Sequence, residues 1–179
     1  MTPETLEDVF IEQIRELYDV EKQLVKALTK MSKAAESEDL AEGLRQHLQE
    51  TEGHVQRLEQ IFEQCGEKPR AKACKAIRGL IEDSTPEIKG KGPLQDLAII
   101  ESGQKAEHYE IAAYGNARTL AAKLGKEDAV SLLEETLEEE KAADRKLTQV
   151  TPPILDAASE GMEEEEGEEV EEEEELEEV

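Results

Sequence analysis

Ala106-Glu107-His108-Tyr109-Glu110-Ile111-Ala112-Ala113-Tyr114-Gly115 is the stretch that decides the fold. In a helix, Ile100, Gln104, Glu107, Ile111, Tyr114 and Arg118 share one side, because residues three and four apart lie on the same face. A carboxylate therefore falls on the stripe that should be buried, with the His108 imidazole and the Glu110 carboxylate close beside it. A buried carboxylate is costly unless it is paired, hydrogen-bonded or bound to a metal. The expectation is that other helices supply matching carboxylates and that the group forms a metal site inside a helical bundle.

The rest of the composition agrees with helices. The 179 residues fit one domain of ordinary size, aromatic residues make up 3%, and Trp is absent. A β-sandwich or barrel would want more aromatic and β-branched residues. Ala, Leu, Glu, Lys, Gln and Arg dominate, and these are good helix formers. No apolar run reaches the ~18 residues that span a bilayer. The first residues, Met1-Thr2-Pro3-Glu4-Thr5-Leu6-Glu7-Asp8, lack the basic and apolar regions of a signal peptide. A soluble, cytoplasmic protein is expected. Cys65 and Cys74 are nine apart and flank Gly66 and Pro69, a spacing of neither redox nor zinc motifs. They read as ordinary thiols.

The net charge of −25 is concentrated at one end. Residues 160–179 hold 14 Glu and no basic residue, and setting them aside leaves −11. Duplex nucleic acid is not expected as a partner, because phosphate contacts need Lys and Arg. An anionic membrane surface is not expected for the same reason.

Along the chain, Pro3 suits a first helical turn with Thr2 as its cap. An apolar stripe then runs Phe10, Ile14, Leu17, Glu21, Leu24, Leu28, Met31, interrupted at its middle by Glu21. Ser37 caps a second helix whose stripe is Leu44, Leu48, Thr51, Val55, Leu58, Phe62. His47 and His54 lie on one flank of that stripe, with Glu50 between them and further round. Gly66 ends this helix, and residues 72–83 can form a short connecting helix. The crossover of roughly residues 66–92 is long enough to traverse a bundle. A third helix starts at Pro93 and stops before Gly125. A fourth opens at Glu127-Asp128, with the stripe Val130, Leu133, Leu137, Glu140, Asp144, Leu147. Glu134, Glu135, Glu138 and Glu139 read as a solvated face. Thr151-Pro152-Pro153 is expected to end this helix. The pattern divides the chain into a bundle over residues 1–155 and an acidic, mobile tail over 156–179.

The chain also matches itself weakly at an offset of 89. Glu38-Asp39 falls on Glu127-Asp128, Leu44 on Leu133, Leu58 on Leu147, Glu21 on Glu110 and Glu50 on Glu139. A duplicated helical hairpin would relate the two halves by a pseudo-twofold axis. Glu21, His54, Glu107, Glu110, Glu140 and Asp144 each lie about 15–19 residues from their own turn, which at ~1.5 Å per residue places them at one level of the bundle.

Glu16-Leu17-Tyr18-Asp19-Val20-Glu21-Lys22-Gln23-Leu24, His47-Leu48-Gln49-Glu50-Thr51-Glu52-Gly53, the Glu107–Gly115 stretch and Glu135-Thr136-Leu137-Glu138-Glu139-Glu140-Lys141-Ala142 together resemble the YciE/YciF-like branch of the ferritin superfamily. The likeness covers about residues 5–150. It implies an all-α, ferritin-like antiparallel four-helix bundle, a homodimer, a link to bacterial stress responses and a metal site, with no settled activity. Wider relatives use a Glu on one helix of each pair and Glu-x-x-His on the other. Here Thr51, not Glu, stands three before His54, and Ala143 stands three after Glu140. Those departures leave open a carboxylate-rich site, a single metal, or none.

Two expectations follow. In the first, Glu21, Glu107, Glu140 and Asp144 lead the ligands of an iron or manganese site, followed by His54, Glu50, Glu110 and His108; a metal so held could handle peroxide or iron(II). In the second, the chain is a non-catalytic helical dimer or scaffold. Its buried acids then pair with Arg15, Lys105, Arg118 or Lys141, or with the hydroxyls of Tyr18, Tyr109 and Tyr114. The acidic tail is expected to be a solvated run that affects solubility only, with loosely recruited cations or a basic partner as the alternatives.

Overall fold

The structure is a computed structural model that describes residues 3–84 and 91–177. Five helices follow one another: α1 (Leu6–Ala34), α2 (Glu38–Gln64), α3 (Lys75–Ser84), α4 (Gly92–Lys123) and α5 (Glu127–Glu177). No strand occurs among the described residues. Nor is any helix there long and apolar enough to cross a membrane.

The helix starts follow local chemistry. Thr5, not Thr2, caps α1: its Oγ1 accepts the Asp8 N–H at 3.1 Å, and Asp8 accepts the Thr5 N–H at 3.0 Å. This reciprocal pair satisfies two donors that a helix otherwise leaves open. Thr2 lies outside the described residues. Ser37 caps α2, accepting the Leu40 N–H. Gly66 ends α2 and Gly125 ends α4, both at positive φ, where a side chain would be strained.

One contact sets the direction of α4. Asp96, in its first turns, accepts the backbone N–H groups of Glu36 at 2.9 Å and Ser37 at 2.7 Å. So α4 begins at the end of the bundle where α1 turns into α2. The crossover has therefore returned along the bundle's length, and α4 runs antiparallel to α1. α1 packs on α2 and α4, and α5 packs on the other side of both. α3 lies outside, against α4 and α1. Within the crossover, residues 85–90 lie outside the described residues.

The fourth long helix does not stop at Thr151-Pro152-Pro153. α5 carries both prolines internally and its backbone stays helical to Glu177. Proline removes a hydrogen bond to the carbonyl four residues back. Here those carbonyls belong to Thr148 and Gln149, both exposed, so water can reach them. The helix also has a reason to continue, since Ile154 is buried against the core. Past Ile154, the described side chains are exposed or half-buried.

Apolar layers fill the two ends of the bundle, and a third group, Val20, Leu24, Cys74, Ile77 and Ala106, packs α3 onto α1 and α4. One end packs Phe10, Ile14, Leu58, Phe62, Tyr114 and Leu133. The other packs Leu28, Met31, Leu44, Ile99, Leu147 and Val150. The acidic positions picked out by the sequence fall between them.

Candidate metal centre

Each of the four long helices brings a polar group to the middle of the bundle. Glu21 of α1, His47 and His54 of α2, Glu107 and Glu110 of α4, and Glu140 of α5 are all buried. Glu21, His54 and Glu140 place one ligand-type atom each within 4.8 Å of the others. His47, Glu107 and Glu140 do the same, so Glu140 belongs to both groups. Its Oε1 lies 3.0 Å from His54 Nδ1, and its Oε2 lies 3.6 Å from His47 Nε2. His47 Nε2 is 3.1 Å from Glu107 Oε1, and His54 Nδ1 is 3.6 Å from Glu21 Oε2.

Behind each imidazole stands a further carboxylate. His54 Nε2 is 2.8 Å from Glu139 Oε2, which Arg57 also holds. His47 Nδ1 is 3.3 Å from Glu50 Oε2. In the neutral ring each contact favours the proton on the outer nitrogen, so that the inner one faces the cluster as a lone pair once a cation displaces its proton. This is the usual way a protein orients a metal-binding histidine. Under the 89-residue offset Glu50 corresponds to Glu139, and each backs an imidazole of α2, but the positions equivalent to His47 and His54 are Thr136 and Ala143, so the histidines do not follow the offset.

Burial and charge shift these groups strongly. Burial disfavours charged His54, yet the Glu140 and Glu21 carboxylates outweigh it and lift the imidazole to about 10. Burial likewise opposes charge on His47, and Glu107 chiefly, with Glu50 and Glu140, holds it well above the usual value. Burial raises Glu140 to about 8, with His54 opposing and Glu21 adding to the rise. Burial first, then the charges of Glu140, Glu21 and Glu107, push Glu110 well above the carboxylate range.

The four basic residues expected to pair with the buried acids form ion pairs with other carboxylates. Arg15 pairs with Glu12 and Glu67, Lys105 with Glu101, Arg118 with Glu134, and Lys141 with Glu138. Among the tyrosines, Tyr18 donates to Glu59 and Tyr109 to Glu16, away from the cluster. Tyr114 alone of the three donates into it, to Glu21 Oε1. Several buried atoms still lack a hydrogen-bond partner: Glu21 Oε2, His54 Nδ1, Glu107 Oε2, Glu110 Oε1 and both oxygens of Glu140. Unsatisfied buried acceptors are rare in folded proteins and each calls for a cause. Four carboxylates, two imidazoles and six unpartnered atoms aimed at one another fit one or two transition-metal ions.

The sequence-derived ligands divide. Glu21, His54, Glu107, Glu110 and Glu140 converge. Glu50 does not enter the cluster; it is 30% exposed and backs His47. Asp144 is 23% exposed on the rim, held by Gln104 and facing His108. His108 is 71% exposed and points outward, because one residue beyond inward Glu107 is ~100° around the helix. Glu139 is not part of a solvated face, since it joins Arg57 to His54. His47 is the residue that the Glu-x-x-His pattern misses. Its spacing of seven from His54, two helical turns on one flank with Glu50 between, is the signal that marks it in the sequence, although it stands outside the expected ligand set.

An antiparallel helical bundle enclosing a carboxylate–histidine cluster is the ferritin-like class of protein. Within that class, the chain belongs to the family described as Domain of unknown function (DUF892), which matches residues 5–160. It is 45% identical to Protein YciF of Escherichia coli (strain K12) over 151 residues, 83% of this chain and 91% of that protein. The crystal structure of the E. coli stress protein YciF superposes with a TM-score of 0.82 at 43% identity, covering 86% of this chain and 99% of that one. YcfI of Rhodopseudomonas palustris gives 0.79 at 42% identity, covering 82% and 95%. A Xanthomonas campestris protein at 17% identity shares the fold, with a TM-score of 0.69 over 89% of this chain and 99% of that one.

Proposed function

We propose that the chain is a stress-associated, non-haem metalloprotein that holds two iron or manganese ions between its four long helices. One observation carries this: Glu140 belongs to both three-residue groups and offers one oxygen to each histidine. Glu21 and His54 would complete one half, His47 and Glu107 the other, with Glu110 facing both. Metal at such a site would supply one-electron redox steps and Lewis acidity, the chemistry by which peroxide or iron(II) could be handled.

The protein's own part is to prepare and seal the site. Glu139 and Glu50 orient the two imidazoles. Tyr114 holds one oxygen of Glu21 and leaves the other turned inward. Glu110 and Glu140 keep protons in the buried cluster until cations replace them. The apolar layers on either side exclude bulk water. The family resemblance further supports a cytoplasmic homodimer, which light scattering on the purified chain would check.

The scaffold alternative draws on the Tyr114–Glu21 hydrogen bond and on the histidines as internal counter-charges. It leaves four buried acids sharing two imidazoles. Thermal unfolding separates the two. Added iron(II) or manganese(II) should raise the melting temperature, and a chelator should reverse the rise, since a ligand of the native state stabilises it. A melting temperature indifferent to both would favour the scaffold.

A further inference from the structure

We infer that two small apolar chambers beside the cluster form an entry path and holding site for dioxygen. The inference rests on the metal-centre reading above and names the small molecule that centre takes up.

The first chamber has a volume of about 30 Å³ and lies between α2 and α5. Leu28, Leu40, Leu44, Leu147 and Val150 supply its apolar walls, and His47 and Glu107 form its inner end. Its outer end is at Asp39, Gly43 and Lys146. Asp39 and Lys146 are exposed there. Lys146 lies along Gly43, with its Cγ 3.6 Å from where a Cβ on that glycine would stand. The mouth is thus covered by a flexible side chain over a residue that has none. The second chamber, about 20 Å³, lies on the α1 side. It shares Leu28, His47, Gly103 and Glu107 with the first and reaches Glu110.

Gly103 is the common wall. A Cβ there would stand 2.9 Å from Leu147 Cδ1, too close without a shift. Glycine at this point lets Leu147 pack directly on the α4 backbone, so only that leucine and a bare backbone stand between the chambers. Its absence of a side chain is not needed for backbone reasons, since only Gly66, Gly92 and Gly125 have positive φ among the described glycines.

Size and lining choose the occupant. Roughly 10–15 Å³ of such volume holds one water molecule, so each chamber suits a molecule of two or three heavy atoms. Chambers walled by Leu, Val and Gly favour an apolar guest. Hydrogen peroxide would shed hydrogen bonds to water on entering and find few replacements until it reached His47 and Glu107. Dioxygen has none to lose.

The test uses the full-length, metal-free chain, so it does not depend on metal loading. Methyl-resolved NMR is recorded under xenon pressure and then under dissolved dioxygen. The expected result is xenon-induced shifts and dioxygen-induced broadening at Leu44, Leu147 and Val150, above those at Ile14 and Ile61 in the other half of the core. Ala143→Leu fills the first chamber from α5 and Gly43→Leu blocks its mouth. Both should abolish the effect at these methyls, with helical circular dichroism unchanged. Perturbation no greater than at Ile14 and Ile61, or perturbation that survives both substitutions, overturns the path. Metal content is measured on the same preparations after reconstitution. Gas uptake in a chain that binds no metal would overturn the metal reading and this assignment with it.

Discussion

His54 turns Nδ1 toward Glu140, 3.0 Å away, and Nε2 toward Glu139, 2.8 Å away, so two neighbouring glutamates of α5 hold one imidazole from opposite sides. Adjacent residues on a helix point ~100° apart, and His54 sits in the angle between them. Arg57, one turn on from His54, fixes the outer glutamate with contacts of 2.5 and 2.9 Å. Removing this outer support should weaken metal binding without deleting a ligand. Arg57→Ala or Glu139→Ala is expected to lower metal affinity by about 10–100-fold, the usual effect of losing a partner behind a ligand. Competition with a chromogenic chelator would measure it. An unchanged affinity would mean that His54 is not oriented from behind.

Glu110→Gln separates stability from function. In the metal-free chain Glu110 is surrounded by Glu140, Glu21 and Glu107 and is held well above its ordinary range by burial and by their charges. The amide copies its protonated shape and needs no proton. The metal-free variant should therefore melt higher than the parent at neutral pH, by about 3 °C or more, the shift that ~1 kcal/mol gives in a domain of this size. Its metal content should fall. Calorimetry that showed a lower melting temperature would contradict the crowding of negative charge described for this cluster.

The same crowding fixes the sign of a pH dependence. His54 is raised to about 10, Glu140 to about 8, and His47 and Glu110 are raised as well. Each binds its proton more tightly in the native than in the unfolded chain, so the native state holds extra protons and stability falls as pH rises. The contribution is complete below the unfolded values, near 4.5 for the glutamates and 6.5 for the histidines. It is lost as pH climbs through 8 and then 10. Glu50 and Glu139 are lowered, and their opposite contribution falls below this window. Metal-free protein should melt progressively lower from about pH 5.5 to about pH 9. A flat or rising curve over that range would count against the shifts.

Asp96 gives a prediction independent of metal. Its carboxylate is buried and accepts two backbone N–H groups from the α1–α2 turn. Asp96→Ala leaves both donors without that partner at the start of α2. The expected cost is ~2–3 kcal/mol, read as a fall of ~5–10 °C in melting temperature. Metal stoichiometry should be kept, since the substitution lies at the bundle's end.

The bundle is legible in the sequence because the stripes of α1, α2, α4 and α5 repeat at the helical period and Gly66 and Gly125 mark real ends. The end of α5 is not legible. Pro152 and Pro153 look like a stop, yet the residues whose carbonyls they free, Thr148 and Gln149, are exposed, and Ile154 anchors the continuing turn. In the site, Glu21, Glu107 and Glu140 stand out because each puts an acid on an apolar stripe. Asp144 shares that signature but lies at the rim, because its place across the bundle depends on how far α5 is rotated against α4. His47, visible on its flank but outside the expected ligands, and Glu139, which reads as solvated, are underrated for the converse reason. Each sits on a stripe's flank, where a few tens of degrees decide between solvent and core, and only packing supplies that angle.

The most direct test of the two-metal centre is elemental analysis after anaerobic reconstitution with iron(II) or manganese(II), comparing the parent with Glu140→Ala. Truncating residues 156–179 in both prevents loosely held cations on the acidic run from entering the count. The expected result is about two ions per parent chain and loss of both in the variant, because Glu140 serves both halves. A parent that holds no metal, or a variant that keeps the parent's full content, would contradict the centre described here.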